Sequence, residues 1–310
     1  MVHITTFFSY KGGAGRSSTC LNTLPYLATE LNASKNAPIL LIDMDWKSAG
    51  MTYLLDQEKT FRSKDRDDII RYIKSQNTYS PKIDGSIFDH PIFKMFVPVG
   101  KKLGLKDDDA VMFLGVDDQE KISQEEAKTG GYAKIDAIRR FCANSERNAQ
   151  KIKAMVIDSS AGDQESAEIS TRAATDLVTC FRATTQFRKG TFSYLERLQS
   201  ENLDQDKRIF LLPTVIPPNV EIDKVSQLES TVKNIRALLD IYKFQTVRED
   251  FIDEKCFGIN EVTRFKWQEG VLFEIAQKQS LAKDEEEAVK RYSKLAKLLS
   301  EDDEEDDDDE

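Results

Sequence analysis

Residues 10–18 read YKGGAGRSS, and what this stretch does decides the fold. It joins an apolar run with β character, Val2–Tyr10 (VHITTFFSY), to a helical pattern from about Arg16 to Leu31. Leu21, Leu24, Leu27, Ala28 and Leu31 mark the apolar side of that helix, and Pro25 predicts a kink in it. Gly12, Gly13 and Gly15 let successive backbone N–H groups turn inward, and the following helix N-terminus adds a favourable dipole. Such a strand–glycine loop–helix is an anion cradle suited to phosphate. Ser17 is placed to offer a hydroxyl to Mg²⁺, while Lys11 and Arg16 supply positive charge.

A second apolar strand, Pro38–Asp43 (PILLID), completes a βαβ unit, which builds parallel sheet with a right-handed crossover. Ala110–Val116, Lys153–Asp158, Leu177–Arg182 and Arg208–Val215 read as further strands, with helical patterns near Ala133–Ala149, Gln186–Gln199 and Ile222–Leu239. The expected class is α/β: a doubly wound, mostly parallel sheet with helices on both faces, Rossmann-like and three-layered. Residues 1–300 read as a single domain with an elaborated insertion at about 56–129, which carries Pro81, Pro91, Pro98 and one more strand pattern at Phe93–Val99. Residues 301–310 are all Asp or Glu; like charges of that density predict a solvated, disordered acidic tail.

The chain has 54 acids and 44 bases; without the tail the charges balance at 44 each. A neutral body argues against a constitutively basic nucleic-acid binder. Cys20, Cys142, Cys180 and Cys256 include no C-x-x-C pair, which disfavours a structural zinc site, a disulfide framework or a shared cluster. His3 and His90 lack ligand spacing and read as structural. The apolar runs are too short to span a bilayer, and MVHITTFFSY lacks a signal-peptide pattern, so a cytoplasmic location is expected. The helical stretch Leu281–Ser300 has an apolar stripe, but Asp284–Glu287 and the tail would repel anionic lipid. A core-docked helix is the expectation there, and a membrane partner is not.

The ordinary phosphate-loop pattern G-x-x-x-x-G-K-[ST] fails at Tyr10 and at Arg16. The stretch instead resembles the deviant form K-G-G-x-G-K-[ST] of the ParA/MinD family of ATPases, within the SIMIBI class of P-loop NTPases. By that resemblance Lys11 is the signature lysine, acting on a second subunit's nucleotide, and Ser17 is a metal ligand. Gly12, Gly13, Ala14, Gly15, Arg16, Ser17 and Ser18 form the nucleotide cradle. LLIDMDWK (Leu40–Lys47) resembles the family's D-x-D segment: Asp45 would position the attacking water and Asp43 would support the Mg²⁺ shell. MVIDSSAG (Met155–Gly162) resembles the Walker B and switch segment, with Asp158 toward the metal and Gly162 approaching the γ-phosphate. Serine at 160, where the family commonly has proline, predicts a looser switch loop. IFLLPTVIPPN (Ile209–Asn219) falls at the base-binding loop, which makes Pro213 and Thr214 the adenine contacts.

The resemblance implies an ATP-binding, ATP-hydrolysing switch that forms an ATP-dependent homodimer and couples nucleotide state to a protein partner, a cargo or non-specific DNA. No N-K-x-D or T-K-x-D segment is present to read guanine, so ATP with Mg²⁺ is the expected cofactor. The catalytic residues implied are Lys11, Asp45 and Arg16. Arginine at 16 keeps charge but is bulkier than lysine, which predicts slow turnover. The alternative is a low-turnover nucleotide-sensing regulatory scaffold acting through a protein partner.

Overall fold

The computed structural model describes residues 2–55, 68–75, 79–116, 122–146, 149–162, 164–217, 224–242, 244, 246–253, 257–266 and 270–301. Cys256 and, except for Glu301, the acidic tail lie outside them. The chain runs β1 (His3–Ser9), α1 (Arg16–Glu30), β2 (Ile39–Asp43), α2 (Gly50–Leu55), α3 (Ile69–Lys74), α4 (Pro91–Lys94), β3 (Val97–Pro98), β4 (Val111–Leu114) and α5 (Gln124–Ser145). It continues through β5 (Ala154–Ala161), α6 (Glu165–Ala173), β6 (Asp176–Phe181), α7 (Thr185–Ser200), β7 (Arg208–Pro213), α8 (Lys224–Tyr242), β8 (Val247–Arg248), α9 (Leu272–Lys278) and α10 (Lys283–Ser300).

These strands form an eight-stranded sheet in the order β3-β4-β2-β5-β1-β6-β7-β8, parallel except for β3. Central strands are buried along their length because both faces carry helices. Side chains alternate between the layers. Phe8, Leu177, Phe181, Ile209 and Leu211 pack with α7 and α8, while Phe7, Val178, Cys180, Phe210 and Leu212 join the larger core containing α1 and α10. From β1 the chain first crosses to the β2 side and later to the β6 side. The strand order therefore reverses at β1, and the crevice beyond the strands' carboxyl ends opens there.

Several local expectations are changed by packing. The helix α1 runs unbroken through Pro25 and packs on α10, whose Ala288, Tyr292, Leu295, Ala296 and Leu299 are buried. The apolar stripe of α10 is thus spent on the core. The pattern at Phe93–Val99 is split between the end of α4 and the two-residue edge strand β3. His90 caps α4 by accepting from the Ile92 N–H at 3.2 Å. The helix α5 begins nine residues before the expected Ala133, at a capping box of Ser123 and Glu126. It includes Gly130 and Gly131, where a Cβ would lie 2.8 Å from the Ile73 carbonyl and 2.4 Å from Ile169 Cδ1. The glycine pair is a close-packing site for α3 and α6. Among the described residues, no helix is long and apolar enough to cross a membrane.

Candidate functional site

The glycine loop leaves β1 at the centre of the crevice. Gly13 and Gly15 have φ of 77° and 71°, a left-handed conformation that favours glycine. No side chain caps α1, and no acid lies in its first turn, so the N–H groups of Arg16, Ser17 and Ser18 remain available to an anion. The tip at Gly12 and Gly13 is exposed and Lys11 is half-buried beside it. Tyr10 seats its ring on Gly190 of α7, where a Cβ would come within 2.1 Å of the ring. Two neighbouring strand ends hold the loop: Arg182 Nε donates to the Gly13 carbonyl at 2.7 Å, and the Thr214 hydroxyl donates to the Ala14 carbonyl.

Parallel pairing of β2 with β5 sets Asp43 opposite Asp158 at the ends of those strands, both fully buried. Asp43 accepts from the backbone N–H groups of Asp45 and Thr52, each at 2.9 Å, and from the Thr52 hydroxyl at 2.8 Å. Even so, burial first and then the charge of Asp158 push its pKa up to about 7. Burial likewise raises Asp158, against the pull of Arg16.

Arg16 turns into this carboxylate group. Its Nε donates to Asp158 Oδ1 at 2.8 Å, and its Nη2 donates to Asp45 Oδ2 at 2.8 Å and to Ser17 Oγ at 3.1 Å. Burial alone would lower the guanidinium pKa, but the charges of Asp158 and Asp45 outweigh it and raise it. The residue expected to face phosphate is therefore bound, through two ion pairs, to the carboxylates expected to serve metal and water. The donor set still suits a small hard cation: among the described residues Asp158 Oδ2 is buried without a hydrogen-bond partner, close to the Ser17 hydroxyl that bonds the same arginine.

The switch segment is held rather than loose. Ser160 is buried, and its Oγ lies 2.6 Å from Ser166 Oγ at the start of α6. Gly162 has φ of 77°, and its N–H donates to the Ser9 carbonyl at 3.0 Å, beside the glycine loop.

On the other side of the loop lies a cavity of about 180 Å³, lined by Gly15, Ser18, Thr214, Val215, Ile259, Asn260, Phe265 and Tyr292, among others. Val215 has φ of 55°, a costly conformation for a β-branched residue. Thr214 faces the cavity, whereas Pro213 is buried at the end of β7 and its carbonyl accepts from the Ile259 N–H at 2.8 Å. Sequence reasoning missed the wall at 259–265, Tyr292, Arg182 and Thr52, which belong to no motif. The wall is fixed by Gly258, with φ of 57° and a Cβ position only 2.2 Å from the Pro213 carbonyl oxygen. Gly258→Ala should therefore destabilise the protein by about 2–4 kcal/mol. A urea midpoint equal to wild type would show that the loop yields at no cost.

By sequence, no family model and no curated protein matches the chain. Solved structures do match. McdA of Cyanothece is similar with a TM-score of 0.63 at 18% identity, over 96% of this chain and 99% of that one. The MinC:MinD cell division protein complex of Aquifex aeolicus gives 0.57 at 15%, over 95% of each chain. A plasmid partition protein of Borrelia burgdorferi, bound to AMPPNP, gives 0.54 at 18%, over 96% of this chain and 99% of that one. These neighbours are ParA/MinD-type P-loop ATPases, and the fold of this chain is the fold they share.

Proposed function

We propose that the chain is a Mg·ATP-dependent switch that hydrolyses ATP slowly, pairs with a second copy while ATP is bound, and passes that state to a protein partner or cargo. The observation that carries this reading is the uncapped N-terminus of α1 behind a left-handed glycine loop, set beside three acids on two strand ends. The loop N–H groups would hold phosphates, Lys11 would reach the phosphates held by the second copy, and the neighbouring cavity would hold the base, with the Asn260 amide offering both a donor and an acceptor. Ser17 and Asp158 would hold Mg²⁺, which when bound neutralises phosphate charge. Asp45 would orient water, with Asp43 supporting the acid group from behind. Gly162 keeps the backbone close to the loop.

The ion pair between Arg16 and Asp45 favours the low-turnover form of this reading, a nucleotide-sensing scaffold, because the water-orienting carboxylate is engaged. Arg208, Arg248, Arg264 and Lys266, bases that could otherwise serve a DNA backbone, pair with Asp176, Asp250, Glu285 and Glu261. That pairing supports a protein partner over non-specific DNA.

Thermal unfolding with each nucleotide tests the cofactor. Mg·ATP at 100 times its dissociation constant should stabilise the protein by about 2.7 kcal/mol. Mg·GTP at the same concentration should do much less. Equal shifts would overturn the assignment of adenine.

A further inference from the structure

Arg182 is exposed at the carboxyl end of β6, the strand that flanks β1 on the side away from Asp43 and Asp158. Its Nε–H is used by the Gly13 carbonyl, which anchors the guanidinium against the loop tip, and among the described residues neither Nη group has an acceptor. The backbone there is open, since a Cβ built at Gly12 or Gly13 meets nothing within 4 Å. Meanwhile the arginine within the loop is not free to serve phosphate. Arg16 is 7% exposed and spends its Nε and Nη2 on Asp158, Asp45 and Ser17. With Asp43 added, that cluster holds three acids against one base. A polyphosphate entering the cradle would meet a locally acidic floor, so the opposing charge must come from the rim.

We propose that Arg182 is a phosphate-contacting residue, binding the terminal phosphates of a nucleotide in place of the charge that Arg16 has given to the carboxylates. Rigid anchoring through Nε presents the remaining N–H groups as a fork, which matches two oxygens of one phosphate. The contact rests on the reading of the loop as a nucleotide cradle, and it predicts discrimination by phosphate count rather than by base.

The test is a ladder of affinities for AMP, ADP and ATP with Mg²⁺, measured by calorimetry on wild type and on three variants. Arg182→Gln can still donate to the Gly13 carbonyl but carries no charge. Arg182→Lys keeps charge without the fork, and Arg182→Ala keeps neither. Arg182→Gln should weaken ATP binding by roughly 10- to 100-fold while changing AMP binding less than about threefold, the loss expected for a charged hydrogen bond. Arg182→Lys should recover part of the ATP affinity. Wild-type ATP affinity in Arg182→Gln, with AMP and ATP weakened alike in Arg182→Ala, would make the arginine a loop tether and overturn the proposal alone. A wild type that binds none of the three would overturn the nucleotide reading, and this proposal with it.

Discussion

Arg16→Ala should cost about 3–5 kcal/mol of folding stability, the usual result of removing one partner from a buried ion pair. The guanidinium holds Asp158 and Asp45 at 2.8 Å each, and Asp43 lies next to Asp158 across the strand pair. Without the arginine, two fully buried carboxylates and a third nearly buried one face each other unneutralised. For a chain of this size the loss corresponds to a fall in Tm of roughly 5–10 °C. Arg16→Lys should lose less, about 1–2 kcal/mol, since an ammonium keeps the charge but cannot span both acids through a planar fork.

The pH dependence has a definite sign. Asp43 has a folded pKa of about 7, raised above the ordinary carboxylate value, so folding takes up a proton there between about pH 4 and 7. Its contribution to stability is favourable when it is protonated and declines as pH rises through that window. Removing Arg16 takes away the charge that restrains Asp158, so the variant should bind still more protons on folding. The gap between Arg16→Ala and wild type should be widest near pH 8 and should narrow by pH 5. Mg²⁺ should narrow it too, by placing a cation against Asp158 Oδ2, which is buried without a geometric hydrogen-bond partner among the described residues. Unfolding at both pH values, with and without Mg²⁺, measures each effect. A variant as stable as wild type at pH 8 would show that water, not the guanidinium, compensates these acids.

The path from Val2 to Asp43 is legible because its signals are local. Strand-length apolar runs, three glycines and a helical repeat lie close together, and α1, β1 and β2 follow within a few residues of their expected limits. The direction in which Arg16 points is not a local property. It depends on β2 pairing with β5 in a register that places Asp43 opposite Asp158, which no single segment encodes. Gly130 and Gly131 mislead for a similar reason. Read alone they break a helix, yet here they sit within α5 because the backbone of α3 and the side chain of Ile169 need the space. The cavity wall at 259–265 and Tyr292 of α10 come from chain far from the glycine loop, and only tertiary packing brings them to it. Pro25 shows the reverse case, where packing of α1 on α10 overrides a local helix breaker.

Lys11→Ala should lower ATP hydrolysis by about 10³-fold, the range of a charge that acts across an interface on the transferred phosphate, and should abolish ATP-dependent self-association. The geometry separates this lysine from the two arginines that touch the loop. Arg16 is buried and bound to carboxylates, and Arg182 is anchored to Gly13, whereas Lys11 is half-exposed and makes no hydrogen bond or ion pair among the described residues. A long, unanchored ammonium at the rim of a phosphate cradle is suited to reach a nucleotide held by a second copy. Asp45→Ala makes the opposite change. It removes the carboxylate proposed to orient water and leaves the loop whole, so ATP-bound pairs should accumulate rather than dissociate. Sedimentation with a slowly hydrolysed ATP analogue distinguishes the roles: wild type and Asp45→Ala should run as dimers, and Lys11→Ala as a monomer that still binds ATP. A Lys11→Ala protein that dimerises normally but fails to hydrolyse would place the lysine on its own chain's nucleotide. A monomeric wild type at saturating ATP would remove the second copy from the mechanism altogether.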